Sequence, residues 1–379
     1  MIKNFKYSKM LCLLLTASCF LGCSNQKTNQ EYEQTALPTE TSFLHEPTPT
    51  QNLDQMLPEE TPDDNLVINP NINATEMFED SNYIYYQHWD VETKGLYKQE
   101  KSTGDETLIV KLDYDKEVWG QCLDGNLIYY SETDRYYSET GDNEYFNFTI
   151  YRIDTDGENR IPILDSSFTA EYNNGYDIGR LIRKLKVSGD FIVFEFAPAY
   201  SVYYYDMKND EITYVGTTKS NFHIYNDKLY LIRQREWSIS EIDLITKEEV
   251  VLLASENPHE KELQNYIHKE FIIIDGEIYY FMSEPHGVYR YNNNDIKLIS
   301  DYPHIDQQGL YNYEDKLCFF HFVYGEVSGA FMMLYDPELD SLQEVMFCKD
   351  YQHISKISDG YLYYSDSGYK NTYKLKIEI

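Results

Sequence analysis

A short phrase recurs along this chain: a turn rich in Asp, Asn or Gly, followed by apolar and aromatic residues. It reads LDGNLIYYSE at 123–132, IDGEIYYFMSE at 274–284 and SDGYLYYSDSG at 358–368. Turn residues that tolerate positive φ between two apolar segments are the sequence signal of a β-hairpin. Aligned on its apolar residue, the phrase occurs seven times, at Ile84, Ile128, Ile192, Leu229, Ile278, Leu317 and Leu362.

The spacing of the seven phrases predicts a β-propeller. Their mean separation is about 46 residues, and strand-rich repeats of about 40–50 residues are typical of propellers with one four-stranded blade per repeat. One interval, between Ile128 and Ile192, spans 64 residues and indicates an insertion. We therefore predict an all-β propeller over residues 66–379, with seven four-stranded blades or six.

The fifth repeat shows the predicted unit most clearly. Its four strands are expected at Phe271–Ile274, Glu277–Met282, Val288–Tyr291 and Ile296–Ile299, separated by turns that contain Gly, Asn and Asp. The seventh repeat offers no fourth strand. We expect Leu66–Ile68 to supply that strand and to close the ring.

The N-terminus has the features of a secretion signal. Three lysines within the first nine residues precede an apolar run from Met10 to Leu21. This run is too short to span a bilayer, which needs ~20 residues, and it is typical of a signal peptide. We assign the signal peptide to residues 1–22.

The end of the apolar run, Phe20-Leu21-Gly22-Cys23, resembles the lipobox of bacterial lipoproteins, in which a small residue precedes a lipidated cysteine. The resemblance implies that Cys23 carries the lipid and that the protein is extracytoplasmic, on the outer face of the cell membrane. Cleavage before Cys19, or plain secretion without a lipid, remains an alternative. Residues 23–65 are rich in Thr, Pro and acidic residues, which predicts a disordered spacer.

The charge of the chain excludes some partners. It has 64 acidic and 32 basic residues, with a formal net charge of −32. Such a surface repels nucleic acid and anionic lipid, so membrane association would depend on the lipid anchor. The 38 tyrosines are consistent with β-structure, or alternatively with platforms on which sugars stack.

The segment Tyr361–Asp366 (YLYYSD) resembles the repeat of YWTD-type propellers of the low-density lipoprotein receptor-related family. The segment Asp154–Arg160 (DTDGENR) is similar to hairpins of TolB-like propellers. Both resemblances imply a propeller that serves as a binding platform. The YWTD-type family has six blades, whereas this chain shows seven phrases.

Motifs that would indicate a nucleophilic, metal-dependent or phosphate-binding enzyme are missing from the sequence. The acidic segment Asp154–Asn159 lacks the spacing of a calcium loop and is expected to be a turn. Cys122, Cys318 and Cys348 lie in apolar runs and are expected to be buried thiols. A Cys318–Cys348 disulfide stays open, and no cofactor or metal is predicted.

Candidate ligand-binding residues lie where the chain leads into the predicted innermost strands, at the mouth of the propeller. They are Trp119, Arg183, Lys184, His223, His268 and His353. Aromatic and basic groups at this place suit an anionic or sugar ligand, although ordinary solvated or hydrogen-bonded loop positions are the favoured interpretation. The insertion at 131–149 is either a recognition loop or a surface excursion.

These observations favour a monomeric, non-catalytic binding platform at the bacterial cell surface, with a protein or an envelope glycan as its ligand. The alternative is a hydrolase or lyase that acts on glycans in the funnel of the propeller. Propeller enzymes place catalytic groups on separate blades, so the lack of sequence motifs is weak evidence against this alternative.

Overall fold

The computed structural model describes thirteen segments between residues 78 and 377. They are 78–88, 92–137, 144–170, 181–197, 200–233, 238–254, 267–283, 286–301, 309–323, 329–349, 353–358, 360–365 and 372–377. The predicted signal peptide, Cys23, the spacer and Leu66–Ile68 lie outside these residues, so those assignments remain predictions.

The described chain is all-β, with 26 strands and one short 3₁₀-helix at Ser166–Ala170. Blade 1 contains β1 Phe78–Glu79, β2 Tyr83–His88, β3 Gly95–Glu100 and β4 Glu106–Lys111. Blade 2 contains β5 Lys116–Asp124, β6 Leu127–Tyr137, β7 Glu144–Asp154 and β8 Ile161–Asp165. Blades 3 and 4 contain β9 Leu181–Ser188, β10 Phe191–Ala197, β11 Ser201–Asp206, β12 Glu211–Tyr225, β13 Lys228–Arg233, β14 Ser238–Asp243 and β15 Glu249–Leu253.

The C-terminal part contains three further blades. Blade 5 contains β16 Ile267–Ile274, β17 Glu277–Ser283, β18 His286–Asn292 and β19 Asp295–Ser300. Blade 6 contains β20 Tyr311–Tyr313, β21 Lys316–Val323, β22 Gly329–Asp336 and β23 Ser341–Lys349. Blade 7 contains β24 His353–Ser358, β25 Tyr361–Ser365 and β26 Thr372–Lys376. No described helix is long and apolar enough to cross a membrane.

Each blade is an antiparallel sheet whose strands follow one another in chain order. Strand β12 is 15 residues long and is shared: its first part pairs with β11 in blade 3 and its second part with β13 in blade 4. The last blade has three strands among the described residues. These four-stranded antiparallel sheets are arranged as a propeller, as the spacing of the phrases predicts.

Each of the seven aligned phrases places its apolar residue on the second strand of a blade. The predicted strands of the fifth repeat all lie within β16 to β19, so that prediction is confirmed. Its turn residues Asp275 and Gly276 both have positive φ, 47° and 80°, as a tight two-residue hairpin requires. The pair Glu314–Asp315 adopts the same conformation in blade 6 without a glycine, at φ of 49° and 60°.

Among the described residues, the hydrophobic core forms six clusters, each drawn from two successive blades. One cluster packs Tyr279 and Phe281 of blade 5 against Leu317 and Phe319 of blade 6. Because a strand exposes side chains on both faces of its sheet, each blade needs a neighbour on either side. This need explains why the same hairpin recurs along the sequence.

The insertion in the second repeat is a strand extension over its described residues. Strands β6 and β7 are 11 residues long and stay in register from Leu127↔Asp154 to Tyr137↔Glu144. Antiparallel pairing satisfies the backbone of the insertion, whereas a loop would leave those groups to solvent. Residues 138–143 lie outside the described residues, so whether the insertion at 131–149 is a recognition loop or a surface excursion stays a prediction.

Candidate ligand-binding site on the innermost strands

The first strands of successive blades lie side by side at the centre of the propeller. Strand β5 contacts β9, β9 contacts β12, and β12 contacts β16. The pairing of each of these strands with the second strand of its blade is interrupted by a β-bulge at an equivalent level. Bulges are common next to functional sites because they redirect side chains. The candidate site lies at and just below these bulges.

A chain of hydrogen bonds crosses three innermost strands at the level of the bulges. Lys184 of β9 donates from Nζ to Oδ1 of Asn221 on β12. Asn221 in turn donates from Nδ2 to Oε1 of Glu270 on β16, at 2.9 Å. Burial lowers the pKa of Lys184, although Glu195 and Glu270 act in the opposite direction. The three side chains therefore hold blades 3, 4 and 5 together through polar contacts.

A buried carboxyl group lies beside this chain. Glu195 stands opposite Lys184 in the β9–β10 register and has 0% exposed surface. Burial raises the pKa of Glu195, while Lys184 and Arg183 act to lower it. Nε of Arg183 lies 3.3 Å from Oε1 of Glu195, and its guanidinium stacks on the ring of Tyr200 at 4.9 Å. Neither carboxyl oxygen has a hydrogen-bond partner in the described part of the chain.

A second layer lies one step closer to the inner hairpins. Cys122 on β5, Lys186 on β9 and His223 on β12 occupy equivalent positions, paired with Tyr129, Val193 and Tyr230 respectively. Burial, with a smaller effect of Lys184, lowers the pKa of Lys186 to about 8. Its Nζ lies 5.8 Å from the ring centre of Phe222. Within the described residues, Lys186 has neither a hydrogen bond nor an ion pair.

His223 completes this second layer as a neutral imidazole. Burial lowers its pKa well below the usual range, and Lys186 and Lys184 act in the same direction. The ring hydrogen-bonds the backbone of Phe271 in a way that raises the pKa, so it is the donor in that bond. Its Nε2 is buried and has no hydrogen-bond partner among the described groups. With the other nitrogen protonated, Nε2 is an acceptor.

The two layers together carry more positive than negative charge. Three described cations, Arg183, Lys184 and Lys186, face two described carboxyl groups, Glu195 and Glu270. This local excess lies inside a chain with a net charge of −32. An anionic group is therefore the chemical complement of this part of the propeller.

The structure brings three of the six predicted residues together: Arg183, Lys184 and His223. Trp119 lies on β5 at the level of Lys184, and its Nε1 donates to Oε2 of Glu117 at 3.0 Å. His268 and His353 lie on the innermost strands β16 and β24, but their side chains are outside the description. The ligand-binding role of all six residues remains a prediction.

Sequence reasoning missed Lys186, Asn221, Glu270 and Glu195. The first three could have been found from the pattern, because each lies two residues from a predicted ligand-binding residue. Side chains two positions apart on a strand point to the same face of the sheet. Glu195 also left a signal, since it is the one charged residue in the apolar strand FIVFEFA. A charge in a fully buried strand indicates a partner or a function.

Two other kinds of site are less well supported by the described residues. A depression lined by Arg290, Asn292, Asn293, Asp295 and Lys297 lies on the outer strands of blade 5. There Arg290 is paired with Glu277, and Lys297 with Asp340. No cluster of three or more potential metal ligands occurs in the residues that the structure describes.

The acidic turn, Cys318 and Cys348 match their sequence interpretation, whereas Cys122 is only partly buried. Cys122, Cys318 and Cys348 are free thiols, and the last two are buried in the core. The backbone N–H of Gly157 donates to the carbonyl of Asp154 at 2.9 Å, which closes the expected turn.

Comparison with known proteins finds distant similarities among solved structures only. No protein-family model matches the chain, and no curated protein is significantly similar to it. A solved nidogen/laminin complex is 12% identical, with a TM-score of 0.36, over 71% of this chain and 91% of that one. The acylaminoacyl peptidase of Pyrococcus horikoshii is 14% identical, with a TM-score of 0.46, over 70% of this chain and 43% of the peptidase.

A structure of prolyl endopeptidases is 9% identical, with a TM-score of 0.42, over 79% of this chain and 54% of that one. This chain thus spans about half the length of the peptidase chains that it matches. Similarities at this level carry no argument about substrate or partner.

Proposed function

We propose that this protein is a non-catalytic binding platform of a bacterial cell envelope. In this proposal a lipid on Cys23 holds the chain at the outer face of the membrane, and residues 23–65 separate the propeller from the bilayer. The innermost strands of blades 2 to 5 then contact a protein or glycan ligand.

The observation that carries this proposal is the incompletely paired polar cluster on the innermost strands. Burying a lysine or a carboxyl group without full hydrogen bonding costs several kcal/mol. A propeller of apolar strands does not need such a cluster for folding, because the cores between the blades are already apolar. Clusters of buried groups with perturbed pKa values are typical of functional sites.

A glycan-acting hydrolase is the second candidate, and one observation favours it. Glu195 has a raised pKa and lies in the same cluster as Glu270, so the two carboxyl groups could serve as acid and base. The complete burial of Glu195 argues against this role, since a general acid must reach its substrate. We therefore prefer the binding function.

The binding function is tested by capture from envelope extract. The purified 379-residue chain, carrying a photo-crosslinker at Trp119, is exposed to extract and in parallel to an array of envelope glycans. Saturable capture that free ligand competes away supports the platform. Release of shortened glycan supports the hydrolase instead, and no saturable capture in either format contradicts the proposal.

The anchor is tested separately, with a matched pair of cysteine variants. Cys23→Ala should move the protein from the membrane fraction to the medium, whereas Cys19→Ala should leave it in the membrane. Equal retention of both variants contradicts lipidation at Cys23. If Cys19→Ala alone releases the protein into the medium, the lipid is assigned to Cys19 and not to Cys23.

A further inference from the structure

Lys186 and His223 each have a nitrogen without a hydrogen-bond partner among the described residues, Nζ of Lys186 and Nε2 of His223. They lie on adjacent strands, β9 and β12, at equivalent register positions. As whole residues, Lys186 and His223 are partly buried, while Nε2 of His223 is itself buried. The other described charges of the cluster are committed to contacts: Arg183 to Glu195, and Lys184 through Asn221 to Glu270.

An anion would complement Lys186. Its ammonium lies among Phe222, the Cys122 thiol and the like-charged Lys184, with Glu270 as the carboxylate that acts on it at longer range. A cation in such surroundings is poorly solvated, and a negative oxygen at its Nζ would supply a charge-assisted hydrogen bond. Carboxylate and phosphate oxygens both meet this requirement.

His223 requires a donor. Its Nδ1 is used by the backbone of Phe271, and Nε2 is left as an acceptor in buried surroundings. A simple anion has no proton to offer, so it satisfies Lys186 but leaves Nε2 without a partner. A hydroxyl group on the carbon next to the anionic group supplies the missing donor. Its O–H can donate a hydrogen bond to Nε2 of His223 while the anionic oxygen accepts from Lys186.

We infer that Lys186 and His223 form a subsite for an anionic polyol, in which a carboxylate or phosphate oxygen accepts from Nζ of Lys186 and an adjacent hydroxyl donates to Nε2 of His223. Acidic sugars such as uronic acids and phosphorylated polyols such as glycerol phosphate share this chemistry. The inference rests on the proposed binding function and names the chemical class of its ligand.

The test is titration calorimetry of the 379-residue chain with four small probes. Glucuronate and glycerol 3-phosphate carry both groups, propionate carries the anion alone, and glucose carries hydroxyls alone. At least one of the first two probes should bind about tenfold more tightly than propionate and glucose, and the better of the two identifies the source of the anion. Equal or weaker binding of both overturns the inference.

Two variants and a control separate the two contacts. Lys186→Met should weaken the better probe at least tenfold. His223→Phe should weaken it severalfold and leave propionate unchanged, because propionate has no hydroxyl. Lys111→Met removes an exposed lysine of β4 and should change nothing. Each variant is first shown to fold by circular dichroism and by its melting temperature.

Capture of the envelope ligand by Lys186→Met distinguishes a failure of the subsite from a failure of the proposed binding function. If the Lys186→Met chain still captures the envelope ligand as the unmodified chain does, the platform stands and the subsite is wrong. If the unmodified chain captures no ligand, the platform itself fails. A loss of capture in Lys186→Met and not in Lys111→Met supports both.

Discussion

Replacing Lys186 by Met should make the protein more stable, although it should also remove ligand binding. The substitution keeps the aliphatic stem against Phe222 and deletes only the amine. A pKa that falls from the ordinary 10.5 to about 8 corresponds to a cost of roughly 3 kcal/mol for the charged amine at pH 7. We expect Lys186→Met to recover about 2–3 kcal/mol of this cost.

The sign of the pH dependence distinguishes this explanation from simple repacking. Because the folded state binds the proton of Lys186 less tightly than the unfolded state does, the cost is complete below about pH 8. It disappears as the pH rises from about 8 towards 10.5, where the amine is neutral in both states. The stability gain of Lys186→Met should therefore shrink over this range.

The measurement is urea unfolding of the unmodified chain, Lys186→Met and Lys111→Met at pH 7 and at pH 9.5. The difference between variants at one pH cancels the many tyrosines that also titrate in alkaline solution. Lys111→Met should match the unmodified chain at both pH values. A Lys186→Met variant that is less stable at pH 7, or whose gain is the same at both pH values, would refute the reasoning.

Three further outcomes follow from the same structure. Affinity for the better anionic probe should fall as the pH rises through about 8, because Lys186 loses its charge there. The other titratable groups that act on Lys186 or are acted on by it are Lys184, Cys122, Glu270 and His223. Calorimetry at pH 6.5 and pH 9 checks this. Asp315→Gly should stabilise the protein by about 0.5–1 kcal/mol, because φ is 60° there and glycine adopts this conformation freely; the melting temperature checks it. Glu277→Ala should destabilise by about 2–3 kcal/mol, because Glu277 accepts from Tyr279, Arg290 and Asn292; urea unfolding checks it, with Glu277→Gln as the milder control.

The sequence was sufficient to predict the fold because the propeller repeats its local signals. Each hairpin has turn residues of the right type, as at Asp275–Gly276, and one apolar residue per phrase marks the second strand. A single hairpin phrase is weak evidence for a fold, but seven of them at a similar spacing strongly indicate a propeller. Blade 6 has no glycine in its turn at Glu314–Asp315, yet the aligned residue Leu317 still marks its second strand.

The candidate site was only half predictable, because it depends on register between strands that are distant in sequence. The contact between Lys184 and Asn221, and that between Asn221 and Glu270, join residues separated by 37 and 49 positions. The bulges in the innermost strands set which residues meet. The bulges leave no distinctive mark in composition, so the sequence alone does not show which of these side chains come into contact.

The net charge of the chain and the local charge at Lys186 have opposite signs, which predicts an unusual salt dependence for the rate of ligand association. At long range, a net charge of −32 repels an approaching anion, whereas at contact Lys186 attracts it. Raising the ionic strength from 0.01 M to 0.15 M shortens the screening length from about 30 Å to about 8 Å, which weakens the long-range repulsion more than the enclosed contact. Association of the anionic probe should therefore become severalfold faster with salt, while its dissociation changes little.

Stopped-flow kinetics in sodium chloride, with sucrose of equal osmolality as the control, measures both rates. An ordinary exposed basic site would show the reverse, since salt screens its attraction to the ligand. Slower association at higher salt would thus place the anion on an exposed basic surface of the chain and not beside Lys186.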